Sequence, residues 1–470
     1  MAEKYLFVTG KLAARALRST LARLALPCEY EVAVMQITVA ALMTPAWIAR
    51  FLQVPDGTTR ILIPGLCDGD PRLLAERFGV PVEKGPPDLK QLPRYFGQAD
   101  ARAAYGDSNI RIFAEINNVP YLSREEILNQ ADYYRASGAD VIDLGLAPDR
   151  SWLEAGPAII AELKALGYQL SIDTLRPNEI RMADEAGVDY VLSLNGANRH
   201  LAAGLRATPV LIPDTPEDLD SLDATIRDLE RVGKSYVLDP ILEPINFGFA
   251  ASLNRYFETR RKYPAAEMLM GIGNITELTE ADTTGMTALL VGFCQELGIR
   301  HVLTTEVINW ARGVVRETDV ARQIMHFAQQ TEDLPKHVDS RLLTVREAEL
   351  TPYGEDELRA MQAEITDPNY RIFADDDSIY VFNAERFVQG DDIQAIFDQL
   401  GVGEATHAFY LGTELAKASI ARNLGKNYRQ ESPLDWGYRT FAEARRARVK
   451  LTAASTRRGS LKNARAKRMT

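Results

Sequence analysis

The chain has 470 residues, 46% hydrophobic and 25% charged; this near-average globular composition sets aside disorder, collagen-like repeats and coiled coil, and leaves room for about three domains. It carries 54 Lys and Arg against 65 Asp and Glu for a net charge of −11, yet residues 445–470 hold ten Lys or Arg and no carboxylate. The body before that tail is therefore strongly acidic, which disfavours nonspecific nucleic-acid binding, because phosphate attraction needs clustered basic groups.

Cys28, Cys67 and Cys294 lie far apart and form neither a C-x-x-C pair nor an even set, which points to a reducing, cytoplasmic compartment and argues against structural zinc. No apolar run reaches the length of a membrane span, and the first residues lack the pattern of a secretory signal. Neither membrane nor nucleic acid is expected as a partner.

Residues 4–100 alternate strand and helix: strands at 5–8, 30–34 and 60–63, helices at 11–26, 45–52 and 71–78. That rhythm predicts a small Rossmann-like α/β domain over residues 1–100 with a parallel sheet. Gly10 and Gly65 follow strands, where ligands bind in such sheets, but no G-x-G-x-x-G is present, and turn glycines in a packing domain are the preferred reading over a nucleotide site. The stretch 84–93 reads as a linker.

From Arg111 the alternation runs strand then helix eight times and stops near Gln330. The strands fall at 112–116, 141–144, 170–172, 190–194, 210–212, 236–238, 268–270 and 302–304. Most are short and apolar, as parallel strands buried beneath helices should be, and helices between them carry a 3.6-residue pattern such as Ile127, Ala131 and Tyr134. Eight units in about 220 residues predict a central (β/α)₈ barrel over residues 108–335, with an open doubly wound sheet as the competing fold.

A smaller C-terminal α/β domain is expected over residues 340–443. Its predicted elements are a helix at 355–365, strands at 370–373 and 379–382, a helix at 393–400 and a strand at 408–411. A last helix, running to Asn423, would be capped by Thr413. The basic tail, 444–470, reads as a flexible extension.

In a barrel the reactive groups sit at the carboxyl ends of the strands. The polar residues there are Glu115, Asn117 and Asn118; Asp143; Asp173 and Thr174; Ser193 and Asn195; Asp214; Asp239; Asn274 and Thr276; and Thr305, Glu306 and Asn309. A mouth this rich in carboxylates suits a ligand presenting a planar N–H pair, because a carboxylate accepts two hydrogen bonds side by side. A 2-amino-4-oxopteridine has that edge, together with a carbonyl and ring nitrogens that Asn195 or Asn274 can read. Asp173 and Asp239 are the candidate edge readers; each could instead cap the helix that follows its strand.

His200, His301, His326, His337 and His407 show no metal-binding spacing, so no zinc ligand set is assigned. A single Mg²⁺ held by Asn118, Asp143 or Glu115 with substrate oxygens is left open. Arg176, Arg199 and Arg312 are the basic residues near strand ends that could meet a phosphate, with plain surface roles as the alternative.

These strand ends resemble the pterin-binding barrel family, which comprises dihydropteroate synthase and methyltetrahydrofolate-dependent methyltransferases. Glu115-Ile116-Asn117-Asn118-Val119-Pro120 is similar to the first-strand motif whose Asn binds metal or diphosphate, which corresponds to Asn118. Ala139 to Gly145, with Asp143, resembles the second-strand motif, Ser171-Ile172-Asp173-Thr174 the third, and Leu238-Asp239-Pro240 followed by Phe247-Gly248-Phe249 the sixth. By that resemblance Asp173 contacts the pterin, Asp239 reads its amino edge and Asn118 and Asp143 are substrate contacts; Ser193, Asn195, Arg176, Glu306 and Arg312 are further candidate substrate contacts by their position at strand ends.

The synthase's Ser-Arg-Lys-Ser stretch is replaced by Gly271-Ile272-Gly273-Asn274-Ile275-Thr276, closer to the Gly-x-Ser-Asn-x-Ser of the methyltransferases, and the Arg-x-His of strand eight by Thr304-Thr305-Glu306-Val307. The whole chain looks like the dihydropteroate synthase-like proteins associated with tetrahydromethanopterin synthesis. The resemblance implies a transferase joining the 6-methylene carbon of a reduced pterin to a ribofuranosyl aminobenzene phosphate, with Asp173, Asp239 and Asn274 as catalytic residues and a homodimer as in many family members. Methyl transfer to or from a pterin, and a non-catalytic pterin-binding subunit, are the alternatives.

Overall fold

The structure is a computed structural model and describes residues 3–440 apart from 25, 27, 87, 88, 90, 91, 97–104 and 333. The basic tail expected to be flexible lies outside the described residues. The chain divides into two compact units, Met1–Tyr105 and Gly106–Thr470. Among the described residues no helix is long and apolar enough to cross a membrane.

The first unit is a parallel sheet of β1 (Lys4–Thr9), β2 (Glu29–Val34), β3 (Arg60–Ile63) and β4 (Val82–Lys84) in the order β2-β1-β3-β4. β4 was not expected, being only three residues, two of them charged. Gly10 and Gly65 follow β1 and β3, on either side of the point where strand order reverses. A Cβ at Gly10 would lie 2.9 Å from Ile37 O and Ala40 N, and one at Gly65 only 2.3 Å from Gly85 O. Both are therefore required by backbone packing. An apolar cavity of about 260 Å³ beside them is lined by residues such as Leu12, Leu17, Leu62 and Leu66, and no charged side chain among the described residues faces it to hold a phosphate.

The second unit contains the predicted barrel. β5 (Arg111–Ile116), β6 (Val141–Gly145), β7 (Leu170–Asp173), β8 (Tyr190–Leu194), β9 (Thr208–Leu211), β10 (Val237–Leu238), β11 (Glu267–Gly271) and β12 (His301–Thr305) close on themselves, β12 pairing with β5, which excludes the open sheet. The surrounding helices form where the sequence supplies both an apolar face and a terminus. Helix Arg124–Ala136 begins with a capping box between Ser123 and Glu126 and buries Ile127, Ala131 and Tyr134, spaced i, i+4, i+7. Burying each large side chain of this kind contributes about 1.5–3 kcal/mol, so a charge at Ala131 would break the packing of this helix.

Inside the barrel, Phe113, Val141, Leu192, Val210, Val237 and Leu269 form an apolar plug. Side chains alternate along a strand, so the residues two places further on also face inward. From Phe113 that step reaches Glu115, from Val141 Asp143, from Val237 Asp239 and from Leu303 Thr305. The pleat thus stacks a carboxylate layer on a hydrophobic floor.

The C-terminal part of this unit is an antiparallel sheet of β13 (Arg371–Ala374), β14 (Ile379–Phe382), β15 (Phe387–Gly390) and β16 (Tyr428–Arg429), in the order β15-β14-β13-β16. The expected strand at 408–411 and helix start at Thr413 are replaced by one helix, Ala405–Leu424, capped by Glu404, whose carboxylate accepts from the Thr406 and His407 amides at 3.0 and 2.7 Å. Phe409-Tyr410-Leu411 reads as an apolar run, but burial follows His407, Leu411, Glu414, Leu415, Ala418 and Ala421, a helical spacing that leaves Phe409 72% exposed. Thr413 sits mid-helix and donates to Phe409 O at 2.9 Å, so no helix terminus is present there to hold an anion.

Candidate active site

Glu115 on β5 and Asp143 on β6 are register partners, and Asp173 on β7 stands opposite Gly145 at the end of β6. One oxygen from each of these three carboxylates lies within 4.8 Å of the others. Asp143 is fully buried; Ser171 Oγ donates to its Oδ1 at 2.5 Å, while Oδ2 has no partner. Burial holds the Asp143 acid well above the usual carboxylate range, and the neighbouring Asp173 and Glu115 act in the same direction. Glu115 is pushed up to about 8, by burial first and then by Asp173 and Glu277. A Cβ on Gly145 would lie 2.3 Å from Glu115 Oε1, so the missing side chain is what lets Glu115 turn inward.

Asp239 follows β10 and is raised to about 6 by burial, against the lowering effects of the Tyr256 hydroxyl, the Ile241 amide and Arg255. Tyr256 and Ile241 both donate to Oδ1, at 2.7 and 2.8 Å. Ile241 adopts φ 68°, a left-handed conformation that is costly for a β-branched residue and that turns its amide onto Asp239. Arg255 clamps this loop, donating to Pro240 O at 3.2 Å, Ile241 O at 2.9 Å and Glu243 Oε2 at 2.7 Å. Asp173 also rises to about 6, through burial and then the charge of Asp239, so the two carboxylates sense one another across the mouth.

The remaining expected residues occupy the strand ends in different ways. Asn118, exposed, has φ 55° at the end of β5. Ser193 is half-buried on β8, and its carbonyl accepts from Asn198 Nδ2 at 3.1 Å; Asn195 Oδ1 accepts from the Ala197 amide at 3.0 Å. Asn274, exposed on the short helix Gly273–Thr276, donates through Nδ2 to Leu242 O at 2.7 Å, which ties it to the Asp239 loop. Arg176 is engaged with Glu179 at 2.6 Å and with Ala147 O at 2.8 Å, so its guanidinium holds the loop after β6. Glu306 accepts from Tyr133 Oη at 2.9 Å and from the Val315 amide at 3.1 Å, fixing the start of helix Val314–Gln330. Arg312 is exposed, and Arg199 pairs with Asp228 at 2.9 Å.

Sequence reasoning named Glu115 as a strand end without placing it beside Asp143 and Asp173, had Gly145 only as the close of the second-strand motif, and missed Glu243, Arg255 and Tyr256. A signal for the last two exists: helix Phe249–Lys262 buries Ser252, Arg255, Tyr256 and Thr259, a polar inner face that a solvent-facing reading would not produce.

Residues 3–87 match a family described as a family of unknown function, DUF6513. An uncharacterized protein of Methanocaldococcus jannaschii is 27% identical over an alignment of 529 positions that covers 92% of this chain and 99% of that protein. Among solved structures, the chain is similar to Yersinia pestis dihydropteroate synthase with a pterine-sulfa conjugate (TM-score 0.39, 16% identity, 47% of this chain and 94% of that one). It is similar also to Burkholderia cenocepacia dihydropteroate synthase complexed with 7,8-dihydropteroate (TM-score 0.37, 19% identity, 47% of this chain and 92% of that one).

Proposed function

We propose that the barrel binds a reduced pterin and is a transferase joining its 6-methylene carbon to an arylamine, a ribofuranosyl aminobenzene phosphate, in tetrahydromethanopterin biosynthesis. The supporting observation is the pair Asp173 and Asp239, two inward carboxylates above an apolar floor, the second with Oδ1 saturated by protein donors. Its other oxygen is left for a ligand. A flat heterocycle with an amino edge matches this combination of apolar floor and planar acceptors.

In this reading Asp239 and Asp173 take the amino edge, Asn195, Ser193 and Asn274 read the carbonyl and ring nitrogens, and Asn118 and Arg312 face the leaving group. The carbon–oxygen bond to the leaving group breaks with its electrons, a carbon–nitrogen bond forms, and the amine proton passes to water. Positioning and charge stabilisation are the protein's contribution. Arg176 and Glu306 position loops.

Calorimetric titration with a dihydropterin tests the assignment. Asp239→Asn turns an acceptor pair half into a donor and is expected to lower affinity by more than about tenfold. Unchanged affinity would remove Asp239 from the site. Turnover with a methyl donor instead of an arylamine would favour a pterin-dependent methyltransferase, and tight binding without turnover a pterin-binding subunit.

A further inference from the structure

The C-terminal sheet borders a cavity to which the pterin reading gives no role. β16 is only two residues long, so only Phe373 and Ala374 of β13 pair with it. Gln430 extends the ladder by one step: its amide donates to Ile372 O at 2.8 Å and its Oε1 accepts from the Ile372 amide at 3.1 Å. Beside that end of the sheet lies a cavity of about 510 Å³, within the range of about 300–1,000 Å³ typical of small-molecule sites. Met361, Phe373 and Leu411 give it an apolar wall. Two polar groups in the lining are unserved. His407 is 3% exposed and neither ring nitrogen has a hydrogen-bond partner, although buried polar atoms are normally satisfied. The guanidinium of Arg429 makes no hydrogen bond or ion pair among the described residues. The other lining charges are engaged, Arg371 with Asp367 at 3.0 Å and Glu431 with the Tyr410 hydroxyl at 3.1 Å.

We propose that this cavity is a second ligand site, for a small aromatic anion: the anionic group meets Arg429, the ring lies on the apolar wall, and a polar substituent reaches His407. Arg429 and Phe373 are register partners, so their side chains share one face of the sheet. A guanidinium set beside an apolar wall suits an anion carried on an apolar body. The terminus of helix Ala405–Leu424 is not the anion's partner, because Glu404 already takes the Thr406 and His407 amides. Burial holds His407 below the ordinary imidazole value, against the pull of Glu404, so the ring is neutral and offers one donor and one acceptor. A hydroxyl or amino substituent on the ligand can serve either. A purely apolar occupant would leave both groups unserved, and a cation would be repelled by Arg429.

The test titrates the full chain calorimetrically with 6-hydroxy-2-naphthoate, and with 2-naphthoate and 2-naphthol, which lack the hydroxyl and the carboxylate in turn. The first is expected to bind at one site per chain, 2-naphthol at least about tenfold more weakly and 2-naphthoate about fivefold more weakly, in line with the loss of a charged and a neutral hydrogen bond. Arg429→Gln, at an exposed position, should weaken 6-hydroxy-2-naphthoate by at least about tenfold. His407→Leu removes a ring with no partner in the free chain, so it should leave the melting temperature unchanged or raised while lowering affinity about fivefold. The chain has five histidines, and after labelling them with nitrogen-15 the ring signals of His407, assigned by their loss in His407→Leu, should move on binding. Binding at the barrel mouth would leave those signals still, so this readout is independent of the pterin reading. Absence of binding, affinity that Arg429→Gln leaves within about twofold, or an unmoved His407 signal would overturn the site.

Discussion

The hydroxyl of the fully buried Tyr256 donates to Oδ1 of Asp239 at 2.7 Å, so a side chain on the helix behind the strand sets the acidity of a carboxylate at the mouth. Tyr256→Phe removes that donor and leaves the Ile241 amide alone on the same oxygen. The expected cost is about 1.5–3 kcal/mol in denaturant unfolding, the usual worth of a hydrogen bond to a charged group. Asp239 loses a contact that favours its anion, so the pH at which dihydropterin binding sets in should move upward. A binding profile with the same midpoint would show that Asp239 does not carry the pH dependence.

Asp239 also predicts how stability varies with pH. Its folded-state acid is raised from 3.8 to about 6, so the folded protein holds the extra proton between these values. The resulting stabilisation is fully present below the ordinary value and is lost as pH rises through about 6. Asp173 acts in the same sense. Asp239→Asn removes the ionisation while keeping an oxygen for Tyr256 and Ile241. Relative to the unmodified chain it should therefore gain roughly 2–3 kcal/mol between pH 4 and pH 7, read from urea unfolding at each pH. A variant that instead loses ground over that range would show that the folded state favours the Asp239 anion.

The barrel was legible because its strands are short apolar runs separated by helices with a clear 3.6-residue pattern, and each of the eight predicted strands overlaps an observed one. β15 and β16 were not, since Phe387–Gly390 and Tyr428–Arg429 are too short and polar to stand out and form only by pairing with β14 and β13. The site divides the same way. Asp143, Asp173 and Asp239 are visible as polar residues ending apolar runs, whereas the approach of Glu115 to Asp143 depends on strand register. Arg255 and Tyr256 lie a whole loop away from Asp239 in sequence and reach it only once the helix packs.

Arg255 is the residue whose loss should disturb that loop most. Its guanidinium, 7% exposed as a residue, serves Glu243 and two carbonyls, Pro240 O and Ile241 O. Arg255→Ala leaves the Glu243 carboxylate without its cation and both carbonyls without this donor, at an expected cost of about 3–5 kcal/mol. Adding Glu243→Gln removes the stranded charge, so the double variant should be less destabilised than the sum of the two single changes. Strict additivity in that cycle would mean the ion pair contributes nothing to the loop that presents Asp239.

The C-terminal segment is tied to the barrel through a buried charge as well. Glu317, with no exposed surface, lies in the first turn of helix Val314–Gln330, where a carboxylate complements the helix dipole. Tyr438 donates to its Oε1 at 2.5 Å, Arg439 approaches the same oxygen at 3.5 Å, and Thr287 donates to Oε2 at 3.3 Å. Arg439 also donates to Arg312 O at 2.8 Å, next to the end of β12. Tyr438→Phe removes the shortest contact to the carboxylate and should cost about 1–3 kcal/mol, because a buried anion is left short of a donor. The loss should appear in a probe within the barrel, such as hydrogen exchange along β12 and its following helix. If Tyr438 only finished the C-terminal sheet, exchange in β13 and β14 would speed up while β12 stayed protected, and the barrel would then be stable without the segment that follows it.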